Sequence, residues 1–269
     1  MSVNSLHTAS RRAASATARD DRAAVDKAMA LLASFDLDGG LGVSELARRS
    51  NLSKSTAFRI LGLLERNGAV ERIGSGYRLG HQMHNIGAQV YPAEYVRIRD
   101  QLTPFLADLY IGTGQTVHLA VLRGPDVLYL NKLYGHRHLP SPSRIGGRAP
   151  AHCTAVGKAL LAHVDGFRPA AVDLEIRTEN SISDSSSLSR ELTAVRRAGI
   201  AFDREEVLLG LNCVGAVVFG RLGKPVAAMS VSGSASSLDL SAHTQMLRRV
   251  CSAASQALSA QRIGRPEAV

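Results

Sequence analysis

Residues 46–61 have the sequence LARRSNLSKSTAFRIL, which predicts two short helices joined by a tight turn. The second helix begins at Ser53, an N-cap residue whose hydroxyl can accept a free backbone N–H. Polar side chains occupy its first two turns, where a recognition helix presents the groups that contact bases. These candidate DNA-binding residues are Ser53, Lys54, Ser55, Thr56 and Arg59. Apolar residues recur on the opposite face, so one side can pack while the other enters a groove.

A short hairpin is predicted directly after this helix. Asn67-Gly68 is a helix stop, and the strand candidates 69–73 and 77–79 flank Gly74-Ser75-Gly76. Arg72 and Arg78 lie on the two arms and are expected to contact DNA phosphates. The alternative is an ordinary amphipathic helix pair with a solvated charged face. The hairpin favours a winged helix-turn-helix over that alternative.

Composition sets the outer limits of the prediction. A chain of 269 residues with 45% apolar content can form two domains, and its net charge of +9 suits an anionic partner such as double-stranded DNA. The apolar runs are shorter than the ~18 residues of a membrane span, so we expect a soluble protein with no membrane partner. Three widely spaced cysteines fit a reduced cytoplasmic location.

The order of elements predicts five segments. Residues 1–20 are rich in Ser, Ala and Arg; this composition has some likeness to an organelle transit peptide, but the lack of apolar periodicity favours a disordered basic tail. A DNA-binding domain over 21–80 and a helical linker over 81–110 follow, with Pro92 interrupting the linker. An effector-binding domain is expected over 111–262 and a tail over 263–269.

The C-terminal part predicts strands and helices in alternation. Strand candidates are 116–122, 127–133, a stretch around Ile145, 213–221 and 226–232; helices are expected at 93–110, 153–163, 188–197 and 242–261. Paired strands between helices indicate an α+β fold with an antiparallel sheet of about five or six strands. The predicted fold is thus an N-terminal helical winged helix-turn-helix with a small β-wing, a helical linker and a C-terminal sheet with flanking helices.

Several ordered motifs resemble the IclR-type transcriptional regulators. They are residues 51–72 and 77–80, GRAPAHCTAVGKA at 147–159, GIAFDREE at 199–206, GLNC at 210–213 and SVSG at 230–233. The resemblance implies a repressor or activator that binds a palindromic operator as a dimer or tetramer. It also implies a GAF-like C-terminal domain that binds a small metabolite, expected to be an organic or aromatic carboxylic acid. No cofactor is expected.

The family's effector pocket maps onto eight positions of this chain. They are Leu139, Ala155, Val156, Asp203, Leu211, Cys213, Ser230 and Ser232. A helix beginning near Cys153 would point free amides at a ligand carboxylate. Ser230 and Ser232 are two residues apart on a strand and so share a face.

Each of these assignments has a structural alternative. The serines can satisfy backbone groups, Asp203 can cap the turn before Glu205-Glu206, and Cys213 can be a small buried apolar residue. His136 and His138 either contact an anionic ligand or are solvated loop residues. The segment that contains them departs most from the family pattern.

Other classes of function fit the sequence less well. Gly157-Lys158 resembles the end of a phosphate-binding loop, but that motif requires Gly at His152 and Ser or Thr at Ala159. Cys213 with His152 could form a nucleophile and its base, although no third orienting residue suggests itself. The spacing of the His and Cys residues matches no standard zinc pattern. A ligand-independent DNA-binding oligomer is the remaining alternative.

Overall fold

The structure is a computed structural model that describes residues 22–36, 40–135 and 142–260. The predicted terminal tails, Leu139, His136 and His138 lie outside the described residues. The chain divides into two units between Val90 and Tyr91, next to Pro92.

Helical and hairpin signals in the N-terminal sequence form the first unit. Its elements are Ala24–Leu32 (α1), Val43–Arg49 (α2), Lys54–Arg66 (α3), Val70–Ile73 (β1), Gly76–Leu79 (β2) and His81–Ala88 (α4). The apolar stripe of α3, with Ala57, Ile60 and Leu61, packs against Leu31 of α1 and Leu46 of α2. This packing leaves the other side of α3 exposed.

The turn between α2 and α3 depends on Asn51. Its φ of 53° is left-handed, a conformation that Asn tolerates better than most residues. The N–H of Leu52 then donates to the carbonyl of Ala47, at 2.9 Å, and the chain enters α3. The β1–β2 hairpin is widened by a bridge in which Leu41 and Tyr77 exchange backbone hydrogen bonds.

The second unit is a sheet between two layers of helices. Its elements are Ala93–Thr113 (α5), Thr116–Arg123 (β3), Asp126–Leu133 (β4), Arg148–Pro150 (β5), Ala155–Leu161 (α6), Ser185–Ala198 (α7), Ala201–Arg204 (β6), Leu211–Phe219 (β7), Pro225–Ser234 (β8) and Leu240–Ala260 (α8). Within the described residues the sheet has the order β5-β4-β3-β8-β7-β6, and every pair is antiparallel. Helices α5 and α8 cover one face, while α6 and α7 cover the other.

Strict alternation in the central strands separates the two faces. Along β8, Ala227, Met229 and Val231 join the core beneath α5 and α8. Ser230 and Ser232 therefore point to the opposite face, where α6 lies. In β3, His118 lies between the core residues Val117 and Leu119 and points to the same face as these serines. The sheet thus presents buried polar groups toward α6.

The backbone of α6 lies directly on the sheet at Gly215. A Cβ atom at this position would lie 2.7 Å from the carbonyl carbon of Ala155 and 3.0 Å from the amide nitrogen of Val156. Real Cβ atoms do not approach backbone atoms so closely, because of steric repulsion, so only glycine fits. The first turn of α6 is consequently held against β7.

The α+β class and the six-stranded antiparallel sheet confirm the predicted fold, but two local predictions were wrong and one strand was not predicted. Ile145 lies in a turn, because Gly146 has a φ of 79° and the strand forms later, at Arg148–Pro150. The helix expected from Cys153 begins at Ala155, since Thr154 is extended and caps it. The edge strand β6 was not predicted as a strand; with only four residues, it has too short a pattern to show.

An ion pair fixes the other side of α6. The side chain of Lys158 is only 1% exposed, and its Nζ lies 2.5 Å from Glu206 Oε1 and 3.1 Å from Glu191 Oε1. Burial raises the pKa of the Glu206 carboxyl, and the Lys158 charge opposes that rise. Removing one partner of such a pair leaves an uncompensated buried charge.

We expect Lys158→Met to lower the free energy of unfolding by about 3–5 kcal/mol, the usual cost of breaking a buried ion pair. Urea titration of the full chain followed by circular dichroism measures this loss. Lys224→Met, at an exposed lysine of the same unit, is the matched control and should change stability little. Equal effects of the two substitutions would mean that the buried pair does not hold α6.

Candidate functional site

The first candidate site is the exposed face of α3. Ser53 caps this helix: its Oγ accepts from the Thr56 N–H at 3.2 Å and lies 2.8 Å from Thr56 Oγ1. Lys54, Ser55 and Arg59 are exposed beyond this cap. Neither Lys54 nor Arg59 forms an ion pair with another described residue. The geometry suits base contacts, and the individual roles of these residues stay predictions.

The two arginines of the hairpin have partners within the protein. Arg72 donates to the Tyr77 hydroxyl at 2.6 Å and lies 4.0 Å from Glu65 Oε1; the bond to Tyr77 raises the pKa of Arg72. Arg78 donates to Glu71. Phosphate contact by Arg78 therefore requires exchange of a carboxylate partner for a phosphate.

The second candidate site is a cavity between the sheet and α6. Its lining includes every predicted effector residue that the structure describes: Ala155, Val156, Asp203, Leu211, Cys213, Ser230 and Ser232. The remaining lining residues are His118, Tyr129, Pro142, Ser143, Thr154 and Val207. The interior void has a volume of about 20 Å³, which is enough for one water molecule.

His118 is the polar centre of the cavity. Its Nδ1 lies 3.3 Å from Ser230 Oγ and 3.1 Å from Ser232 Oγ, and its Nε2 lies 2.7 Å from Ser143 Oγ. Burial and the nearby Lys132 charge lower the pKa of His118 to about 3. The imidazole is thus neutral at physiological pH, with both ring nitrogens engaged by hydroxyl groups.

Lys132 lies next to His118 in the sheet register, on the cavity side. It is 5% exposed, and its Nζ donates to Ser143 O at 2.8 Å and to Ser143 Oγ at 3.1 Å. Burial lowers the pKa of Lys132. Its ammonium group has no carboxylate partner within the described residues, so a buried positive charge lies one side chain away from the cavity.

Asp203 both lines the cavity and caps a turn. Its Oδ1 accepts from the Glu206 N–H at 2.8 Å, which is the structural alternative expected from the sequence. Burial is the main cause that raises the pKa of Asp203 to about 7, and the nearby Glu206 charge adds to it. A protonated Asp203 can donate a hydrogen bond to a ligand oxygen.

Cysteine chemistry at this site is suppressed. Burial raises the pKa of the Cys213 thiol well above its usual value and that of Cys153 to about 12. A cysteine nucleophile requires a lowered pKa, so both thiols behave as small apolar groups. His152 hydrogen-bonds the Glu175 carbonyl at 3.1 Å instead of lining the cavity. Over the described residues, no cluster of metal-ligating side chains is present.

The helix end expected to bind a carboxylate is partly occupied by the protein itself. Thr154 Oγ1 accepts from the Gly157 N–H at 3.1 Å, so one of the free amides is satisfied. The first turn of α6 still lines the cavity through Ala155 and Val156. Its contribution to ligand binding stays a prediction.

Sequence reasoning missed His118, Tyr129, Lys132 and Ser143. One signal was available, since His118 and Lys132 are polar residues inside otherwise apolar strands. Ser143 had no such signal, because its role arises from contacts to residues 25 and 11 positions earlier in the chain.

A winged helix with an exposed polar face, followed by a sheet unit with a polar interior cavity, defines a DNA-binding protein with a ligand-binding unit. The sequence-family model of the C-terminal part of the bacterial transcriptional regulator IclR matches residues 93–260. The family model of the IclR helix-turn-helix domain matches residues 24–74. The chain therefore belongs to the IclR family. It is a DNA-binding transcriptional regulator with a C-terminal effector-binding domain.

Named relatives and solved structures agree with this assignment. The transcriptional regulator KdgR of Dickeya chrysanthemi is 31% identical over 220 residues, covering 79% of this chain and 71% of the relative. The repressor AllR of Escherichia coli K12 is 29% identical over 223 residues, covering 80% and 81%. The crystal structure of Thermotoga maritima IclR shares 32% identity with a TM-score of 0.76, covering 87% of this chain and 98% of that one.

An IclR homolog from Microbacterium hydrocarbonoxydans has the same fold. It is 23% identical, with a TM-score of 0.70 over 88% of this chain and 99% of that one, and its crystal structure contains 4-hydroxybenzoate. Among the described residues of the present chain, no helix is both long and apolar enough to cross a membrane.

The raised pKa of Asp203 predicts a specific dependence of stability on pH. The folded state holds this proton up to about pH 7, whereas the unfolded chain releases it near the usual value of 3.8. The stabilisation that protonated Asp203 provides is thus full below pH 4 and is lost as the pH rises through 7. Relative to Asp203→Asn, the wild-type free energy of unfolding should fall by up to about 4 kcal/mol over this range.

Urea titrations of both proteins from pH 4 to pH 8 measure this difference. Asp239→Asn is the control, because hydrogen bonds from Ser241 and Ala242 lower the pKa of exposed Asp239 and it stays ionised above pH 4. A constant difference between wild type and Asp203→Asn would show that Asp203 does not titrate in this range.

Proposed function

We propose that the effector is a small carboxylic acid that binds in the cavity around His118 and changes the affinity for a palindromic operator. The single observation that carries this proposal is the polar lining of the cavity, with the buried ammonium group of Lys132 beside it. An effector carboxylate supplies the negative charge that Lys132 lacks within the described residues.

The hydrogen-bonding groups of the cavity also suit an acid. Ser230 and Ser232 offer hydroxyl groups, and Asp203 can be protonated near neutral pH. These groups can hold carboxylate and hydroxyl oxygens, while Val156 and Leu211 provide apolar contacts. The 4-hydroxybenzoate bound by the Microbacterium homolog belongs to this chemical class.

The size of the void makes binding a conformational event. The void holds about one water molecule, so we expect lining groups to move when a carboxylic acid enters, and the hydrogen bonds among His118, Ser230 and Ser232 lie where that movement is needed. A ligand changes an equilibrium only through its different affinities for two states. A coupling of about 1–3 kcal/mol between the two sites gives a 5- to 150-fold change in operator affinity.

Assembly completes the proposed function. Two recognition helices of a symmetric dimer or tetramer would contact half-sites about one helical turn apart, in the cytoplasm where the chromosome lies. The proposed function includes no cysteine-based catalytic step, because burial raises the pKa of the Cys213 thiol instead of lowering it.

We expect Arg59→Ala to abolish the preference of the protein for its operator while effector binding persists. Arg59 lies on the exposed face of α3, and an arginine bonded to a guanine provides about 1–3 kcal/mol of discrimination. Mobility-shift titrations on operator and scrambled duplexes measure this preference. Arg78→Ala should instead weaken binding to both duplexes equally and reduce the salt dependence.

Arg66→Ala, at an exposed arginine at the far end of α3, is the matched control. Loss of both effector binding and operator preference in Arg59→Ala would identify Arg59 as a structural residue.

Ser232→Leu should remove the response to the effector while DNA binding survives. Leucine at this position fills the small void and removes one hydroxyl partner of His118. The measurement is thermal unfolding of the full chain with keto acids, hydroxy acids and aromatic acids, including 4-hydroxybenzoate, each beside its neutral amide. A ligand at a hundredfold excess over its Kd stabilises the wild type by about 2.7 kcal/mol.

Ser237→Leu, an exposed position just beyond the same strand, should keep the response. Stabilisation by amides and acids alike would contradict a carboxylate effector. No stabilisation by any compound would favour the ligand-independent regulator.

A further inference from the structure

The exposed face of α3, which carries the predicted DNA-binding residues, also carries an aromatic side chain that does not pack in the core of the first unit. Phe58 is 56% exposed and does not belong to the apolar core of the first unit. The core side of the helix is formed by Ala57, Ile60 and Leu61, so Phe58 points away from it. An isolated exposed apolar residue is ordinary on protein surfaces, and its meaning here depends on its neighbours.

These neighbours are groups that bind DNA. Phe58 lies one helical turn after Lys54 and Ser55 and directly precedes Arg59. The first turn of α3 contains no acidic residue. A positively charged surface with hydroxyl groups attracts a polyanion such as DNA more than it attracts an apolar protein surface. In the major groove of DNA, the C5-methyl of thymine is the apolar group that an aromatic side chain can contact.

Gly62 gives a second, independent indication. It lies one turn after Phe58, inside a helix, where glycine is disfavoured. Neither packing nor backbone conformation requires it: a Cβ atom there would meet nothing within 4 Å, and its φ is not left-handed. The missing side chain leaves open space beside Phe58, through which a DNA strand can approach the helix backbone.

We propose that Phe58 determines operator specificity by packing against the C5-methyl group of a thymine, with Gly62 allowing the close approach of DNA. This proposal rests on the DNA-reading role of α3 and adds a base preference that Arg59 does not supply. The operator half-site then contains a required thymine next to the base that Arg59 contacts.

The test begins with DNA selected from random duplexes by the full-length wild-type protein. Each thymine of the selected site is replaced singly by deoxyuridine, which removes only the methyl group. At one position in each half-site we expect wild-type affinity to fall about fourfold, the value for losing one buried methyl-sized group. Phe58→Ala should bind thymine and deoxyuridine duplexes equally, and Phe58→Leu should retain part of the difference.

Leu63→Ala, at another exposed apolar residue of α3, is the matched control and should keep the full thymine preference. Gly62→Ala should raise the unfolding temperature but weaken DNA binding. Gly87→Ala, at an equally open glycine in α4, should raise it without weakening DNA binding.

The outcomes separate this proposal from the function on which it rests. If no sequence is enriched by selection, the DNA-reading function itself fails. If a site is enriched and every deoxyuridine substitution leaves wild-type affinity unchanged, the role of Phe58 is overturned while DNA reading stands. A change of oligomeric state in Phe58→Ala, with no thymine preference in the wild type, would assign Phe58 to contact with a second copy of the chain.

Discussion

The close contact between α6 and the sheet at Gly215 is the constraint on which the effector-binding unit depends. With no side chain between them, the backbone of Ala155 and Val156 rests on β7, and the first turn of α6 forms one wall of the cavity. A larger residue would clash with the backbone of Ala155 and Val156 and move α6 away from β7. The ion pairs of Lys158 hold the helix from its other side, so its position is fixed by a steric limit and a buried charge together.

The central strands bury polar groups on one face of the sheet and keep the apolar core on the other. Alternation along β8 assigns Met229 and Val231 to the apolar layer, and Ser230 and Ser232 to the cavity. Each buried hydroxyl has a cost unless it is hydrogen-bonded, and His118 provides the common partner. One face of the sheet thus packs in the apolar core, while the other carries the polar groups of the proposed effector site.

Local patterns predicted much of this architecture, and the failures have physical causes. The α3 helix was predictable because its cap, its apolar stripe and the stop at Asn67-Gly68 all lie within sixteen residues. Thr154 was not recognised as the cap of α6, because the preceding 3-10 turn, Ala151–Cys153, resembles the start of the helix in sequence. The seven described pocket positions came from family motifs, whereas no local spacing would have brought Asp203 to Ser230.

The sequence motifs did not predict the contacts between residues on neighbouring strands. His118 and Lys132 become neighbours only through the β3–β4 register, and Ser143 reaches both from a segment outside the sheet. A single-sequence pattern contains the alternation of each strand but not the pairing of one strand with another. The contacts at the polar centre of the cavity were therefore the least visible in the sequence.

The hydrogen bonds within the cavity limit which effectors the proposed site can accept. His118 and its serine partners hydrogen-bond one another, and a ligand that breaks these hydrogen bonds must replace them. A purely apolar compound of the right size cannot do so, and it would leave buried polar groups unpaired. In the proposed function, selectivity comes mainly from the cost of disturbing this hydrogen-bond network, which a ligand with matching oxygen atoms offsets. Because that rearrangement lies on the sheet face that α6 covers, a movement of this helix is the first structural change expected to follow effector binding.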